Sequence, residues 1–408
     1  MRSRWETVLG VLFLVNVLNF YDRLVLGAVL EPVRREFALS DTQLGAMVTL
    51  FTLVFAAAGL PAGRLSDTRG RRGLLALGIA AWAALTGLSA LAVNYAMLLA
   101  TRLGVGIGEA VCTPAATSWI GDTAPPGRRT RAMAWFMMAV PVGGLLSYAI
   151  GGGVAQALGW RAAMAVAAAP ALLLAPAVLW LKEPARTAQS AAAPAAWQPG
   201  KGFWWIAASG AAVNFALYAF STFLPAMLTR YHGMTVASAG VWVGIGTGVS
   251  GIAGALAAGA AGDRTRSRLG LTAWVMLAAA LPMFLALRVS PGGAGMAVTL
   301  AMIAYGMMQM YYGLVYAALH DLVPAGAHGR AMSLYLLVTY LGGASWGPVA
   351  TGRLSDWLAR ASGLGGEAAR AAGLHGALYV VPALAVVLAG ILWMAARSGE
   401  PRWSKIRG

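Results

Sequence analysis

The chain has 408 residues, of which 59% are hydrophobic and 11% charged, with a formal net charge of +16 and 52 glycines. Soluble domains carry about a quarter charged residues, so this composition points instead to a membrane protein whose glycines let helices approach closely. The basic excess sits in short loops and forms no basic domain, which excludes a nucleic-acid partner, and a single cysteine, Cys112, excludes a disulfide framework or thiolate metal cluster.

A membrane span takes about 20 mostly apolar residues. That rule predicts an all-α membrane protein of twelve helices, at 6–30, 41–65, 73–92, 96–121, 130–157, 160–181, 203–230, 236–262, 269–288, 295–321, 330–357 and 373–396. The first run is as long as a span and no small-residue cleavage site precedes its charges, so it reads as a retained helix. With the amino terminus inside, 20 Lys and Arg fall on the inner side and 8 on the outer. This predicts a multi-pass cell-membrane protein with both termini cytoplasmic, in the inner membrane if the cell is Gram-negative. Only Arg23 and Arg102 remain in the membrane interior.

The first span contains "NFYDRL", Asn19 to Leu24. Ionisable residues in a span are costly and mark partners or pathways. Asp22 and Arg23 point about 100° apart on a helix, so each needs a partner elsewhere. Asn16, Asn19 and Arg23 form one stripe at i, i+3 and i+7, expected to face a central cavity. After the second span come Gly63, Asp67, Gly70, Arg71 and Arg72. In the fourth span Arg102 and Glu109 are seven apart, hence on one face about 10 Å from each other, and Asp22 is expected to lie between them. "GVGIGEA" (Gly104 to Ala110) lacks the preceding strand of a dinucleotide loop and reads as packing glycine. Asp122, with Arg128, Arg129 and Arg131, follows the fourth span; together with Asp67 it is expected to form a cytoplasmic latch, the alternative for the arginines being topological anchoring alone.

Pro141, Gly143, Gly144 and Gly151 to Gly153 predict a bend or close crossing in the fifth span, which also offers Tyr148 to the cavity. The polar, Pro/Ala-rich stretch from Lys182 to Gly202 reads as a cytoplasmic linker (182–202) between an N-terminal bundle at 1–181 and a C-terminal bundle at 203–408. Asn214 and Tyr218 in the seventh span and Tyr305 and Gln309 in the tenth are the further cavity candidates, in an aromatic and Met-rich surface with Tyr335, Tyr340 and Trp346 of the eleventh. Soft side chains of this kind suit an apolar tail, the alternative being helix packing.

The two halves repeat. "DTAPPGRRTRAM" (Asp122 to Met133) aligns with "DLVPAGAHGRAM" (Asp321 to Met332) at a separation of 199, which also superposes Gly143 and Gly144 on Gly342 and Gly343 and Gly153 on Gly352. Gly63 to Arg72 aligns with Gly259 to Arg268 at 196, making Asp263 the counterpart of Asp67. Parallel six-span repeats suit a two-bundle transporter.

Gly63, Leu65, Ser66, Asp67, Gly70, Arg71 and Arg72 resemble the signature loop of the major facilitator superfamily, although Thr68 and Arg69 depart from its usual residues. "NFYDR", "TRLGVGIGEA", "IGDTAPPGRRTRAM", "PVGGLLSYAIGGG", "GWR" and "EPAR" resemble the Spinster-like group within it, densely from about residue 14 to 186. The resemblance implies two six-helix bundles related by a pseudo-twofold axis, and transport of lysophospholipids or sphingoid-base phosphates in animal members and proton coupling in bacterial ones.

The combined expectation is a monomeric, proton-coupled secondary transporter of an amphipathic organic anion, with the lipid bilayer as its other partner and the proton, rather than a cofactor, as coupling ion. Asp22 and Glu109 would carry the proton, their protonation set by the balance of neighbouring carboxylate and guanidinium. Arg23 or Arg102 would hold an anionic headgroup or release a carboxylate. The alternative is a permanent salt-bridge network that only ties helices together. A small organic acid transporter and a drug efflux antiporter are alternative functions. An intramembrane enzyme lacks a Ser-centred elbow and a metal set, since His232, His320, His328 and His375 fall near helix ends or in loops, and a sensor lacks an appended soluble domain.

Overall fold

The computed structural model describes residues 4–68, 70–183, 197–324 and 327–399. The α-helices in chain order are α1 (Arg4–Ala28), α2 (Leu30–Phe37), α3 (Asp41–Thr68), α4 (Arg71–Ser89), α5 (Tyr95–Glu109), α6 (Cys112–Thr123), α7 (Arg129–Met137), α8 (Ala139–Leu158) and α9 (Trp160–Leu179). They continue as α10 (Lys201–Arg230), α11 (Val236–Gly262), α12 (Arg268–Arg288), α13 (Ala294–Leu322), α14 (His328–Thr339), α15 (Trp346–Ala361), α16 (Gly366–Ala377) and α17 (Val380–Gly399).

Among the described residues, 11 helical stretches are long and apolar enough to cross a membrane. The helix predicted at 330–357 is absent from that set because it is interrupted by a π-helical turn, Tyr340–Ala344, between α14 and α15. Proline explains this and three other breaks. A proline cannot donate to the carbonyl four residues back and crowds it. Pro32, Pro114, Pro141 and Pro348 therefore disturb Ala28, Ala110, Met137 and Ala344, which stand at the end of α1, just after α5, at the end of α7 and at the end of the π turn. The fifth span, where a bend or close crossing was predicted, loses a ladder bond at Met137 but stays one helical stretch, Arg131–Leu158.

The helices group into two compact units, one of Met1–Ser40, Leu50–Gln189 and Met234–Gly248, the other of Asp41–Thr49, Ser190–Gly233 and Val249–Gly408. In the first, α1 packs on α8 and α9, and α4 on α5 and α9, around a core that includes Leu12, Val15, Trp82, Trp119 and Phe136. Lipid is as apolar as these side chains, so close packing rather than expulsion of water holds such helices together. The α1–α8 crossing is tight: a Cβ on Gly143 would stand 2.5 Å from the Val17 carbonyl oxygen. Gly159, at φ +87°, turns the chain from α8 into α9 in a conformation few other residues adopt. In the second unit α12 packs on α13 and α17, and α10 on α17, α14 and α15; here a Cβ on Gly343 would run into the Ala211 carbonyl, and one on Gly347 into that of Phe215.

The π turn changes the register of the repeat. It closes with a bond from the Ser345 N–H to the Tyr340 carbonyl at 3.0 Å, five residues back, so it holds one residue more than an α-turn. Before it the separation of 199 holds. After it the contacts match at 200: Gly143 with Gly343, each at its closest helix crossing, and Gly152 with Gly352, pressed on the Val236 and Asp41 carbonyls. Gln156 and Asp356 match likewise: the Gln156 amide oxygen accepts from the Ala237 N–H at 2.9 Å, and the Asp356 carboxylate from the N–H groups of Asp41 and Thr42 at 3.0 and 2.9 Å. The pairing of Gly153 with Gly352 expected from a constant separation is therefore off by one residue. A similar slip corrects the signature loop: Arg71 and Arg268 each open a helix, α4 and α12, and are counterparts at 197 rather than 196.

Candidate functional site

Two crossed ion pairs occupy the interior of the first unit. Because Asp22 and Arg23 diverge by about 100° around α1, they reach different partners. The Asp22 carboxylate accepts from the Thr86 hydroxyl of α4, 2.8 Å from each oxygen, and lies 3.4 Å from Arg102 Nη1 of α5. Arg102 also donates to the Asp22 backbone carbonyl at 3.1 Å and to Thr86 Oγ1 at 3.2 Å. Arg23 Nε donates to Glu109 Oε2 at 3.1 Å, and its guanidinium lies 4.0 Å from the centroid of the Phe55 ring and 5.0 Å from that of Phe20. The structure adds a partner for Arg23 to the expected order: Asp22 meets Arg102 and Arg23 meets Glu109, while the Asp22 and Glu109 carboxyls adjoin each other as expected.

The two pairs are not equivalent. Asp22 and Arg102 are each 1% exposed, whereas the Arg23 side chain keeps 12% of its surface against 0% for Glu109. Separating a buried ion pair leaves an uncompensated charge, so the pair with three further hydrogen bonds, Asp22–Arg102, is the more firmly fixed. Cation–π contact can hold the Arg23 guanidinium when its carboxylate partner is neutralised. Glu109 sits where α5 ends, beside the break that Pro114 imposes.

The remaining predicted residues of this unit fall around the cluster in different ways. Asn16 donates to the Phe136 carbonyl at 3.1 Å and ties α1 to α7, so it stands apart from the charges in its bonding. Asn19 is 0% exposed, and neither of its amide atoms has a hydrogen-bond partner among the described residues. Tyr148 is buried with its phenol against Gly27 of α1.

In the second unit, Asn214 is fixed by donating to the Gly210 carbonyl at 3.0 Å and accepting from the Tyr312 hydroxyl at 3.0 Å. Tyr218 meets Tyr340 edge-on at 6.4 Å, and Tyr305 stacks on Phe220 at 6.1 Å. Gln309 lies against Gly251 and Gly254 of α11. Around them runs a tyrosine cluster that sequence reading saw only as an aromatic surface: the hydroxyls of Tyr311 and Ser209 are 2.7 Å apart, Tyr335 donates to Tyr311 at 3.2 Å, and Tyr312, Tyr316 and Tyr335 touch edge to face.

The signature loop is a built ion network. Arg71, 1% exposed, meets Asp122 at 2.5 Å and Glu183 at 3.1 Å, and donates to Ser118 at 3.1 Å. Asp122 therefore pairs with Arg71, whereas Arg131, its expected latch neighbour, is exposed. Glu183, which the sequence reading missed, accepts the backbone N–H groups of Arg71 and Arg72 at 2.9 and 3.1 Å and so occupies the positive end of α4. Burial raises its pKa, but the bonds from the two N–H groups and from Arg71 outweigh that and hold it below 4.5. Gly63 accepts from the Ser66 hydroxyl at 2.7 Å, and Gly70 lies beside Glu183. The side chain of Asp67, on which the latch was centred, lies outside the described residues. Its counterpart Asp263 is exposed, and Arg268 pairs with Asp321 as Arg71 does with Asp122.

A further network was not foreseen. Arg230 at the end of α10 meets both oxygens of Asp41 at 2.8 and 2.9 Å, and Ser355 donates to Asp41 at 2.6 Å. Thr86 could have been singled out as a hydroxyl in the run "AAWAALTGL", and Glu183 as an acid at the end of the sixth span. The Asp41 network had no periodic signal, its members being 189 and 314 residues apart.

Residues 12–348 match the description of the Major Facilitator Superfamily. A protein of Mycolicibacterium smegmatis described as an MFS-type efflux pump is 32% identical, over 97% of this chain and 93% of its own length. Protein spinster of Drosophila melanogaster is 33% identical over 36% of this chain and 24% of that protein, and the sphingosine-1-phosphate transporter SPNS2 of Danio rerio 34% over 35% and 28%. These two matches span well under two thirds of either relative. Among solved structures, a bacterial homolog of the human lysosomal transporter Spinster, in an inward-facing and occupied conformation, has a TM-score of 0.89 at 26% identity and covers 99% of this chain and 100% of its own. A D-xylose–proton symporter, with a TM-score of 0.79 at 18% identity over 97% of this chain and 99% of its own, shares the fold.

Proposed function

Because this multi-pass membrane protein belongs to the major facilitator superfamily and is a transporter rather than an enzyme, we propose that it is Spinster-like and moves an amphipathic organic anion by coupling it to protons. One observation carries the reading: two carboxylates and two guanidiniums, all but Arg23 at most 1% exposed, form crossed pairs in the interior of the first unit. Buried charge is retained against its cost chiefly where it serves an ion or substrate path.

The geometry divides the labour. Asp22–Arg102, tied by Thr86 and by the α1 backbone, keeps α1, α4 and α5 aligned. Arg23–Glu109 exchanges: a proton delivered to Glu109 discharges its carboxylate, and Arg23, steadied on Phe55, then receives an anionic headgroup. Departure of the headgroup restores the pair and returns the proton. The neutral, aromatic cluster of Tyr311, Tyr312, Tyr316 and Tyr335 suits an apolar body. A phosphate-headed sphingoid or lysolipid agrees with the naming of the SPNS2 relative. Export of amphipathic compounds is the second reading, favoured by the efflux-pump relative that matches nearly the whole chain.

Purified protein in proteoliposomes tests the proposal. An imposed pH gradient is expected to drive accumulation of a lysolipid or sphingoid-base phosphate, and Glu109→Gln to abolish accumulation while leaving binding. Gradient-driven accumulation by a folded Glu109→Gln protein would show that the cluster is only a structural tie.

A further inference from the structure

We infer that Asn19 is the positioning residue through which the proton reaches the two ion pairs, its carboxamide holding a water molecule between Asp22 and Arg23. The inference rests on the proton coupling proposed above.

Position comes first. Asn19 precedes Asp22 by three residues and Arg23 by four, and those are the two side chains that neighbour it across one helical turn. Asp22 and Arg23 diverge, and Asn19 lies on α1 in the angle between them. Leu26 shares that angle one turn after the pair, so Asn19 is the polar side chain of α1 placed between Asp22 and Arg23.

Its hydrogen-bonding capacity comes second. Asn19 is 0% exposed, yet neither Nδ2 nor Oδ1 finds a partner among the described residues. A buried amide left in that condition is costly, and such groups are almost always satisfied. Arg102 Nε, in the neighbouring ion pair, is likewise without a partner among the described residues. Open polar groups thus remain on α1, at Asn19, and on α5, at Arg102. Buried water typically makes about three bonds to such groups.

The repeat supplies the control. Val17 and Tyr21 of α1 meet Gly143 and Ser147 of α8 as Ala211 and Phe215 of α10 meet Gly343 and Gly347. In that register Asn19 corresponds to Val213, which is buried at 0% exposure in the second unit. The same helix position therefore packs well with an apolar side chain, and the amide is there for chemistry the second unit lacks. The amide itself does not titrate. Its N–H and C=O orient the water, which takes up the proton arriving from the aqueous side as it gives one to the Glu109 carboxylate; a carboxylic acid forms, the charged bond to Arg23 is released, and a neutral water remains.

The test uses Asn19→Val and Asn19→Ser in proteoliposomes, comparing accumulation driven by a pH gradient, across a range of pH, with substrate counterflow at equal pH. Asn19→Val is expected to keep counterflow within about twofold, to lose driven accumulation by tenfold or more and to flatten its pH profile, and Asn19→Ser to recover part of the loss, because a hydroxyl still holds water. Wild-type accumulation in Asn19→Val overturns the inference, and so does an equal fall in both modes with an unchanged pH profile in both variants, which marks a packing role. Should Asn19→Val fail to fold, Asn19→Ser decides on the same readouts. Glu109→Gln run alongside separates the two levels: if it too stays proton-driven, the coupling scheme falls and this inference with it, whereas loss in Glu109→Gln with retention in both Asn19 variants removes only the role given to Asn19.

Discussion

The two units repeat the same helix crossings and fill them with opposite chemistry. In the register set by Gly143 on Val17 and Gly343 on Ala211, Asp22 and Arg23 correspond to Ala216 and Leu217. Tyr95 opens α5 and Ala294 opens α13 at the same separation of 199 as Asp122 and Asp321, so Arg102 and Glu109 correspond to Ala301 and Met308. All four counterparts are buried and apolar. The second unit shows that the fold does not need charge at these positions: its buried ion pair, Arg230 with Asp41, lies elsewhere, at the end of α10, and its hydroxyl and amide cluster is neutral, with Ser209, Tyr311 and Tyr335 and with Asn214 and Tyr312 beside them. Charge at these positions of the first unit is therefore an addition to the architecture, retained at a cost.

The largest effect is expected from erasing that difference in the wrong direction. Leu217→Arg puts a guanidinium at the position of Arg23 with Met308, not a carboxylate, opposite; an unpaired charge buried in this way costs several kcal/mol, and little folded protein should be recovered by size-exclusion chromatography in detergent. Next in size is Arg102→Met, which leaves Asp22 buried without its cation. A loss of about 3–5 kcal/mol is expected from the single change, and most of it should return in the double variant Arg102→Met with Asp22→Asn, read as the melting temperature in detergent. If the double variant melted no higher than the single one, the cluster would not be a balanced pair. Tyr335→Phe should cost only about 1 kcal/mol, because Tyr311 keeps its bond to Ser209, and it should leave the pH dependence of transport untouched.

Much of this contrast could be read in the chain. Spans declare themselves by length and apolarity, and charges within them stand out, so Asp22, Arg23, Arg102 and Glu109 were visible as one constellation. Their pairing was not: spacing along a helix gives the face a side chain occupies but not which neighbour it reaches, and Asp22 turned to Arg102 while Glu109 turned to Arg23. The prolines announced bends in the fifth and eleventh spans, yet the extra residue of the π turn is silent in an ungapped comparison. It showed only through contacts such as Gly152 on Val236 and Gly352 on Asp41. Glu183 was hidden for another reason, since it lies 112 residues from the Arg71 it serves.

The finest version of the comparison concerns how two equivalent helices begin. The N-terminus of α4 is held by the Glu183 carboxylate, that of α12 by the Ser267 hydroxyl, which accepts from the Gly270 N–H at 3.0 Å. Ser267→Ala should cost about 1 kcal/mol at any pH, because a hydroxyl cap does not titrate. Glu183→Gln should cost less, about 0.3–1 kcal/mol at neutral pH, since an amide oxygen still accepts the two N–H groups but without the charge that the helix end and Arg71 favour. Its effect must depend on pH. The folded protein holds this carboxyl below 4.5, so its stabilisation is complete above that value and is lost as pH falls through the lower folded value. Wild-type and Glu183→Gln melting temperatures should therefore differ at pH 7 and converge below pH 4.5, while the Ser267→Ala difference stays constant. A gap for Glu183→Gln that failed to narrow in acid would mean that packing of the side chain, and not its charge at the start of α4, fastens the loop to the first unit.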